Sequence, residues 1–323
     1  MTYDVSRRSL LALGAGLGAT TLMGGSALAK APKLGTQSPY FHRFILGSAE
    51  VTVVSDGPLP LGPPKGTFVG VPDDEVRKML SDNFLSPDNV VLEQNSPIVN
   101  SGDKLVLFDT GMGTSQMFGP TTGRQQKSMS EAGIKPEDID AVVLSHAHVD
   151  HIGGIVDSSG KVLFPNAQFY MAQSDFDFWT DEGKLGSAMK DFVIHARKNL
   201  LPVRDRLVFF KDGQEFLPGI QAMAAPGHTV GHHMFMVTSD GKSFAFLGDL
   251  THHAVLLLEK PLMEFSYDTD PKQAAQSRVK MLTMLAANKT PVMSYHFAWP
   301  GYGHVAKAGN GFHYYPEPMQ MTL

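Results

Sequence analysis

The sequence contains no cysteine among its 323 residues. Disulfide bonds, thiolate nucleophiles and cysteine-ligated metal sites are therefore excluded, and any bound metal ion must be held by histidine and carboxylate groups. Charge is also modest, since 27 basic and 32 acidic residues give a formal net charge of −5. This balance argues against a nucleic-acid partner and a polyanionic substrate. Histidine, by contrast, is plentiful, with 13 residues.

The first 29 residues are predicted to be a cleaved export signal. Arg7 and Arg8 form a twin-arginine pair, a Gly/Ala/Leu-rich stretch follows, and Ala27-Leu28-Ala29 has the small-x-small pattern of a cleavage site. A membrane anchor is the alternative, but the apolar stretch is rich in glycine and only modestly hydrophobic. We expect export by the twin-arginine route, a periplasmic location, and a mature protein with one domain over residues 30–323.

The densest set of metal-binding side chains follows the apolar run Ala141–Leu144, which is typical of a buried strand. His146 and His148 are two residues apart, so on an extended backbone both can bind one ion. Asp150 and His151 follow where the strand ends and are expected to face a second ion. The alternative, unrelated surface or core residues, is disfavoured because all four lie within a few positions behind a buried strand.

This H-x-H-x-D-H pattern resembles the signature of the metallo-β-lactamase-fold hydrolases. The resemblance implies an α/β fold of the αββα sandwich type, in which two mixed sheets are flanked by helices, and it implies two bound divalent ions. It further implies that Asp249 bridges the two ions. One ion would be held by His146, His148 and His228, and the other by Asp150, His151 and His296.

The downstream positions agree with this expectation. His228 lies between glycines on a tight turn, Asp249 ends the predicted buried strand Ser243–Asp249, and His296 ends a last predicted strand. By the same resemblance Asp109 would orient a ligand, although a simple strand-end turn is the alternative. Of the remaining histidines, His232 and His233 are expected to serve structure or solvent contact, whereas the sequence does not assign roles to His252, His304 and His313.

Flanking segments are similar to methyl parathion hydrolase and to enzymes that hydrolyse dihydrocoumarin and acyl-homoserine lactones. They are Met117–Arg124, Asp177–Trp179, Gly227–His232 and His296–His304. The resemblance implies a hydrophobic pocket above the metal ions, lined by Phe118 and Trp179, with core packing as the alternative. The sequence departs from the pattern at Thr251-His252-His253, which leaves substrate preference open and makes His253 a further pocket candidate.

The Pro- and Gly-rich residues 57–70 are predicted to form packed scaffold, a flap over this pocket or a contact in a homodimer. Other predicted elements are two strands around Gly47-Ser48, a hairpin over Ser96–Gly113, a helix over Asp73–Leu85 capped by Asp73, and a helix from Asp270 to about Ala287.

The predicted function is hydrolysis of small hydrophobic lactones or aryl esters by a hydroxide that bridges two divalent ions. Zinc is favoured over manganese, cobalt or iron. Asp150 and Asp249 are the catalytic candidates, and Asp150 or His253 could protonate the leaving group. Hydrolysis of phosphotriesters is the alternative, since the same nucleophile attacks phosphorus. A β-lactamase, a glyoxalase-II-type thioesterase and an inactive metal-binding protein are less favoured readings.

Overall fold

Two mixed seven-stranded sheets form the centre of this computed structural model, which describes residues 33–35, 37–319 and 322–323. The predicted export signal at residues 1–29 lies outside the described residues. Pro39–Leu323 form one compact unit. The strands, in chain order, are β1 (Phe41–Leu46), β2 (Ala49–Ser55), β3 (Leu59–Gly62), β4 (Phe68–Val69), β5 (Val90–Leu92), β6 (Asn95–Asn100), β7 (Leu105–Phe108), β8 (Ala141–Val143), β9 (Gln168–Ala172), β10 (Leu207–Phe210), β11 (Glu215–Leu217), β12 (Ile220–Ala224), β13 (His233–Ser239), β14 (Lys242–Phe246), β15 (Glu264–Phe265), β16 (Val292–Met293), β17 (Tyr302–Ala308) and β18 (Gly311–Pro316).

Helices connect the strands and cover the outer faces of the sheets. They are α1 (Asp73–Asp82), α2 (Gln125–Glu131), α3 (Val149–Ile152), α4 (Gln173–Thr180), α5 (Lys190–Leu200), α6 (Leu256–Glu259) and α7 (Pro271–Asn288), with 3-10 helices at Pro136–Asp138, Glu182–Gly186 and Leu201–Arg206. Among the described residues, no helix has the length and apolar character needed to cross a bilayer.

The sheets are built by consecutive hairpins and a few crossovers. The first has the strand order β1-β2-β6-β7-β8-β9-β10, and its pairings from β7 onward are parallel. The second has the order β11-β12-β13-β14-β16-β17-β18, with a parallel pairing between β14 and β16. Two small antiparallel pairs, β3 with β5 and β4 with β15, lie outside these sheets.

Alternating side chains on each strand separate the core into layers, because neighbours on a strand point to opposite faces. On β7, Leu107 packs with residues of α2, α4 and α5, whereas Phe108 faces the second sheet. There the Phe108 ring lies 5.6 Å from Phe235 and 5.4 Å from Phe246, measured between centroids. Burying one such ring stabilises the fold by about 2 kcal/mol. The layer between the sheets is therefore aromatic and tightly packed.

The outer face of the second sheet packs against α7. Met234 and Ala245 point away from the inter-sheet layer and contact Leu282 and Leu285 of this helix. The layers thus run helices, sheet, sheet, helix. This arrangement confirms the predicted αββα sandwich.

A small cap, formed by β3, β4, β5, β15, α1 and α6, has its own apolar core. Leu59 and Phe68 from the Pro- and Gly-rich residues 57–70 are buried in it, at 2% and 3% exposure. This segment is therefore packed scaffold. Leu61 and Leu59 also line the pocket described below, whereas a flap or a homodimer contact formed by this segment stays a prediction.

Several local predictions are confirmed. β1 and β2 turn at Gly47 (φ +61°), where a Cβ atom would lie 2.1 Å from the Ser239 carbonyl oxygen. The Asp270 side chain caps α7 by accepting a hydrogen bond of 3.0 Å from the Gln273 N–H. The prediction that Asp73 caps α1 is wrong, because Pro72 occupies the position before the helix and Asp73 lies in its first turn.

Candidate metal centre

The H-x-H-x-D-H segment changes direction in its middle. His148 has an extended backbone (φ −73°, ψ 154°) and precedes α3, so Asp150 and His151 lie on the first turn of a short helix. All four side chains, including His146, are buried. Because the helix turns the last two residues away from the first two, one short segment supplies metal-ligand candidates to two separate groups.

Two glycines after this segment allow the chain to pass behind it. A Cβ atom on Gly153 would lie 2.3 Å from the Met112 carbonyl oxygen, and one on Gly154 would lie 2.0 Å from that of Thr110. The Thr110 backbone N–H and side-chain hydroxyl both donate to the His151 carbonyl oxygen, at 2.7 and 3.0 Å. The loop after β7 is thereby joined to α3.

The first group contains three imidazoles. The His146 and His228 Nε2 atoms lie 3.1 Å apart, and the His148 and His228 ring centroids are 4.6 Å apart. His228 is placed by Gly227 (φ +126°), where a Cβ atom would lie 2.0 Å from the Ala274 backbone nitrogen of α7. The tight turn predicted around His228 is confirmed. It places His228 next to His146, although the two residues are 82 positions apart in the sequence.

The second group combines carboxylates and imidazoles. His151 Nε2 lies 3.2 Å from Asp249 Oδ1 and 3.5 Å from Asp150 Oδ2. His296 Nε2 lies 3.2 Å from Asp249 Oδ2 and 3.5 Å from Asp150 Oδ2. Asp249 Oδ2 is also 3.2 Å from His228 Nε2, so this carboxylate touches both groups. The structure brings all seven predicted ligand residues together.

The outward-facing nitrogens of three imidazoles meet fixed acceptors. His151 Nδ1 lies 2.8 Å from Asp109 Oδ2, His228 Nδ1 lies 2.8 Å from Asp268 Oδ1, and His296 Nδ1 lies 2.8 Å from the Glu93 carbonyl oxygen. An Nδ1–H that donates outward leaves the Nε2 lone pair facing the centre. Each of these three rings is therefore held in the tautomer that a metal ion requires.

Burial and neighbouring charges shift the pKa values strongly. Burial lowers the pKa of His146 and of His148 well below the usual value, so both are neutral. Burial also disfavours charged His228, but hydrogen bonds to Asp249 and Asp268 raise its pKa to about 9. Burial raises the pKa of Asp249, yet the surrounding imidazoles, His151 first, hold it well below its usual range.

The donor set fits divalent metal ions. His151 Nε2 and Asp249 Oδ1 are buried and lack a hydrogen-bond partner, although they face each other across the second group. A buried polar atom without a partner is costly unless an ion or water satisfies it. Imidazole and carboxylate donors suit Zn²⁺ and other first-row divalent ions.

An open pocket lies above the two groups, with about 320 Å³ of space between protein atoms that includes open solvent. Its apolar wall is formed by Leu59, Leu61, Leu92, Phe118, Phe192 and Phe265, and its remaining lining residues are His148, Asp150, His228, Asp249, His252, Tyr267 and His296. Among these described lining residues there is no lysine or arginine.

Of the three predicted pocket residues, Phe118 lines the pocket and the other two do not. Trp179 is buried behind His148, with ring centroids 5.0 Å apart, and Phe192 occupies the wall in front. His253 faces the cap, where its Nδ1 accepts the Val255 and Leu256 backbone N–H groups at 3.1 and 3.2 Å. It therefore stabilises the start of α6 and is not placed to protonate a leaving group.

Sequence reasoning left His252 unassigned and did not single out Asp268. His252 Nε2 lies 3.0 Å from Asp249 Oδ2, and its ring stacks on Phe265 with centroids 4.0 Å apart. The spacing of three residues from Asp249 was the available signal for His252. His232 is structural, since its Nε2 accepts the Asp249 backbone N–H at 2.9 Å. His304, on β17, pairs with Glu317 after β18, and neither residue lines the pocket.

Residues 90–292, more than half of the chain, match the Metallo-beta-lactamase superfamily. The chain belongs to this superfamily, as its histidine motif, its αββα layers and its clustered ligand residues indicate. It is a hydrolase of that superfamily.

Several relatives are lactonases by name. N-acyl homoserine lactonases of Bacillus sp. and Bacillus cereus are 24% and 23% identical, over 66% and 58% of this chain and 81% and 65% of their own lengths. AidC, a dizinc quorum-quenching lactonase solved with its product, is 31% identical with a TM-score of 0.81, covering 87% of this chain and 98% of AidC. The hydrolase AbOPH is 26% identical with a TM-score of 0.82, covering 88% and 100%.

Proposed function

We propose that this protein is a dinuclear metal-dependent hydrolase of small hydrophobic lactones, with aryl esters as a second substrate class. One observation carries the proposal: at the floor of an apolar pocket, the Asp249 carboxylate lies 3.2 Å from His228 of the first group and 3.2 Å from His151 of the second. The names of the lactonase relatives support the substrate class, and the dizinc description of AidC supports zinc.

In this proposal His146, His148 and His228 hold one ion, and Asp150, His151 and His296 hold the other, with Asp249 shared. Two divalent ions held by these residues would supply acidification of water near neutral pH and polarisation of the substrate carbonyl group. The chain itself supplies the neutral imidazoles of His146 and His148, outward hydrogen bonds that orient three further rings, and a buried floor.

The pocket wall selects substrates by polarity. The wall residues are leucine and phenylalanine, so an acyl chain or an aromatic leaving group gains free energy by leaving water. No lysine or arginine lines the described pocket to recognise a carboxylate or a glutathione moiety. This distribution favours uncharged lactones and esters over β-lactams and glutathione thioesters.

A substrate panel tests the proposal. Purified protein loaded with zinc should contain about two ions per chain and hydrolyse dihydrocoumarin, acyl-homoserine lactones and p-nitrophenyl esters. Asp249→Ala should lose both the second ion and turnover, whereas His313→Ala, at an exposed position on β18, should lose neither. Turnover of nitrocefin or S-lactoylglutathione in place of lactones would contradict the proposal.

A phosphotriester arm belongs in the same panel, because the same nucleophile and apolar wall accept an uncharged triester. If paraoxon-like triesters are hydrolysed and lactones are not, the protein is an organophosphate hydrolase. If one ion or none is bound and no substrate reacts, the dinuclear assignment fails.

We further propose export to the periplasm through the twin-arginine sequence at Arg7 and Arg8. Replacing both arginines by lysine should leave the full-length chain in the cytoplasmic fraction. A processed periplasmic protein from the double-lysine variant would refute this route.

A further inference from the structure

Asp56 is a fully buried carboxylate that belongs to neither group of ligand residues. Three backbone N–H groups donate to it. Its Oδ2 accepts from Met112 and Gly123, at 2.9 and 3.0 Å, and its Oδ1 accepts from Gln125 at 2.9 Å. Met112 and Gly123 are the two ends of residues 112–123, named here the Phe118 loop. A single oxygen atom therefore closes this loop at its base.

The base of the loop leaves no room for side chains. A Cβ atom on Gly111 would lie 2.5 Å from Asp56 Oδ1, and one on Gly123 would lie 2.5 Å from the Gly113 carbonyl oxygen. Both glycines have positive φ, +69° and +76°. The carboxylate is thus fitted to a backbone arrangement that brings both loop ends within hydrogen-bond distance of it.

The tip of the loop forms part of the pocket wall. Phe118 lines the pocket and packs edge-on against Tyr267 from the opposite side, with ring centroids 5.8 Å apart. The loop contains neither helix nor strand between β7 and α2, and its internal hydrogen bonds include short-range ones, such as Gly119 N–H to the Gln116 carbonyl oxygen at 3.0 Å. The position of Phe118 therefore depends on how the loop is held at its base.

We propose that Asp56 is a positioning residue for substrate selection, which fixes the Phe118 loop and thereby the wall that contacts the acyl chain or aryl group of the substrate. This inference rests on the proposed function for the substrate class. Burial raises the pKa of Asp56 to about 6 even though three N–H groups donate to it. An ionised carboxylate at this place destabilises the folded state. We therefore attribute to Asp56 the role of joining the two ends of the loop.

Asp56→Ala tests the proposal, because a methyl group accepts none of the three hydrogen bonds made to the carboxylate. We expect the Met112 and Gly123 amides to exchange hydrogen about tenfold faster in the metal-loaded variant without substrate. The KM for a long-chain acyl lactone should rise about fivefold, since the ordered wall is less populated. The kcat, the metal content and the KM for an unsubstituted small lactone should stay unchanged.

Ser128→Ala is the matched control. Its hydroxyl donates to the Ser55 carbonyl oxygen at 2.7 Å beside the anchor, without contact to the loop ends, so neither exchange nor the KM ratio should change. Unchanged amide exchange in Asp56→Ala, or an equal rise in KM for both lactones, would overturn the proposal. Because exchange is measured without substrate, absence of lactone turnover in the wild type would refute the proposed function alone.

A wild-type measurement keeps the proposal testable if Asp56→Ala does not fold. The Met112 and Gly123 amides donate to the same oxygen, so they should be protected together and exchange at similar rates. If the Gly123 amide exchanged freely while the Met112 amide was protected, Asp56 would not hold both ends of the loop, and the proposal would be refuted.

Discussion

The anchoring carboxylate gives stability an unusual pH dependence. The ordinary pKa of this aspartate is 3.8, and burial raises it to about 6 in the folded protein. Folding therefore favours the protonated form, so the stability that Asp56 contributes is fully present below pH 3.8 and is lost as the pH rises through about 6. The total loss is about 3 kcal/mol, of which roughly 2 kcal/mol falls between about pH 4.5 and 6.5.

The perturbation is Asp56→Asn, which cannot ionise. Urea unfolding of both metal-loaded proteins should be followed across this pH range, and the free energies of unfolding subtracted at each pH. The variant should gain about 2 kcal/mol relative to the wild type as the pH rises from about 4.5 to 6.5. Titration of the ligand residues largely cancels in this difference, because both proteins carry them.

Ser128→Ala serves again as the control, since it changes a neighbouring hydrogen bond without removing a titrating group. Its difference from the wild type should be independent of pH. A flat difference for Asp56→Asn, or a wild type that gains stability relative to the variant as the pH rises, would refute the reasoning.

Further predictions address the ligand residues and their supports. Chelation should lower the Tm of the loaded protein, and added Zn²⁺ should restore it, because bound ions stabilise the folded state by mass action; an unchanged Tm in a scanning calorimeter would contradict the metal assignment. Asp268→Asn should weaken metal affinity about 10–100-fold in competition with a chelating dye, because the carboxylate that orients His228 loses its charge; Asp270→Asn, which retains a cap for α7, should not. Trp179→Ala should destabilise the fold by about 3–5 kcal/mol in urea, because a ring with 2% exposure is removed from behind the first group; a loss below about 1 kcal/mol would place the ring elsewhere. His253→Ala should cost about 1 kcal/mol in the same assay with unchanged metal stoichiometry, since only the α6 N–H acceptor is lost.

Local signals predicted much of the fold. Asp270 followed by proline identified the start of α7, and Gly47 identified the first hairpin turn, because each position is decided by a few neighbouring residues. The prediction that Asp73 caps α1 was wrong, although it also used only neighbouring residues. An aspartate beside Pro72 matches a cap in composition, but the proline itself occupies the position before the helix. The C-terminal hairpin β17–β18 was not predicted, since strand pairing there depends on partners in the second sheet.

The same distinction applies to the site. The spacing of His146 and His148 predicted that both side chains serve one group, and this depends only on the local backbone. Whether Trp179 and His253 face the pocket or the core could not be predicted. The orientation of each side chain depends on how a helix or the cap packs against distant elements. Asp56 had no motif at all, because its partners are backbone amides more than fifty positions away.

The closest backbone contacts around the ligand residues occur at glycines. Gly153, Gly154 and Gly227 carry no group that could touch a substrate, yet a methyl group on any of them would displace a segment that bears a ligand. Substitutions harmful to the chemistry will therefore concentrate at positions without chemical functionality as well as at the imidazoles. Tolerance to mutation in this hydrolase is governed as much by available volume as by reactivity.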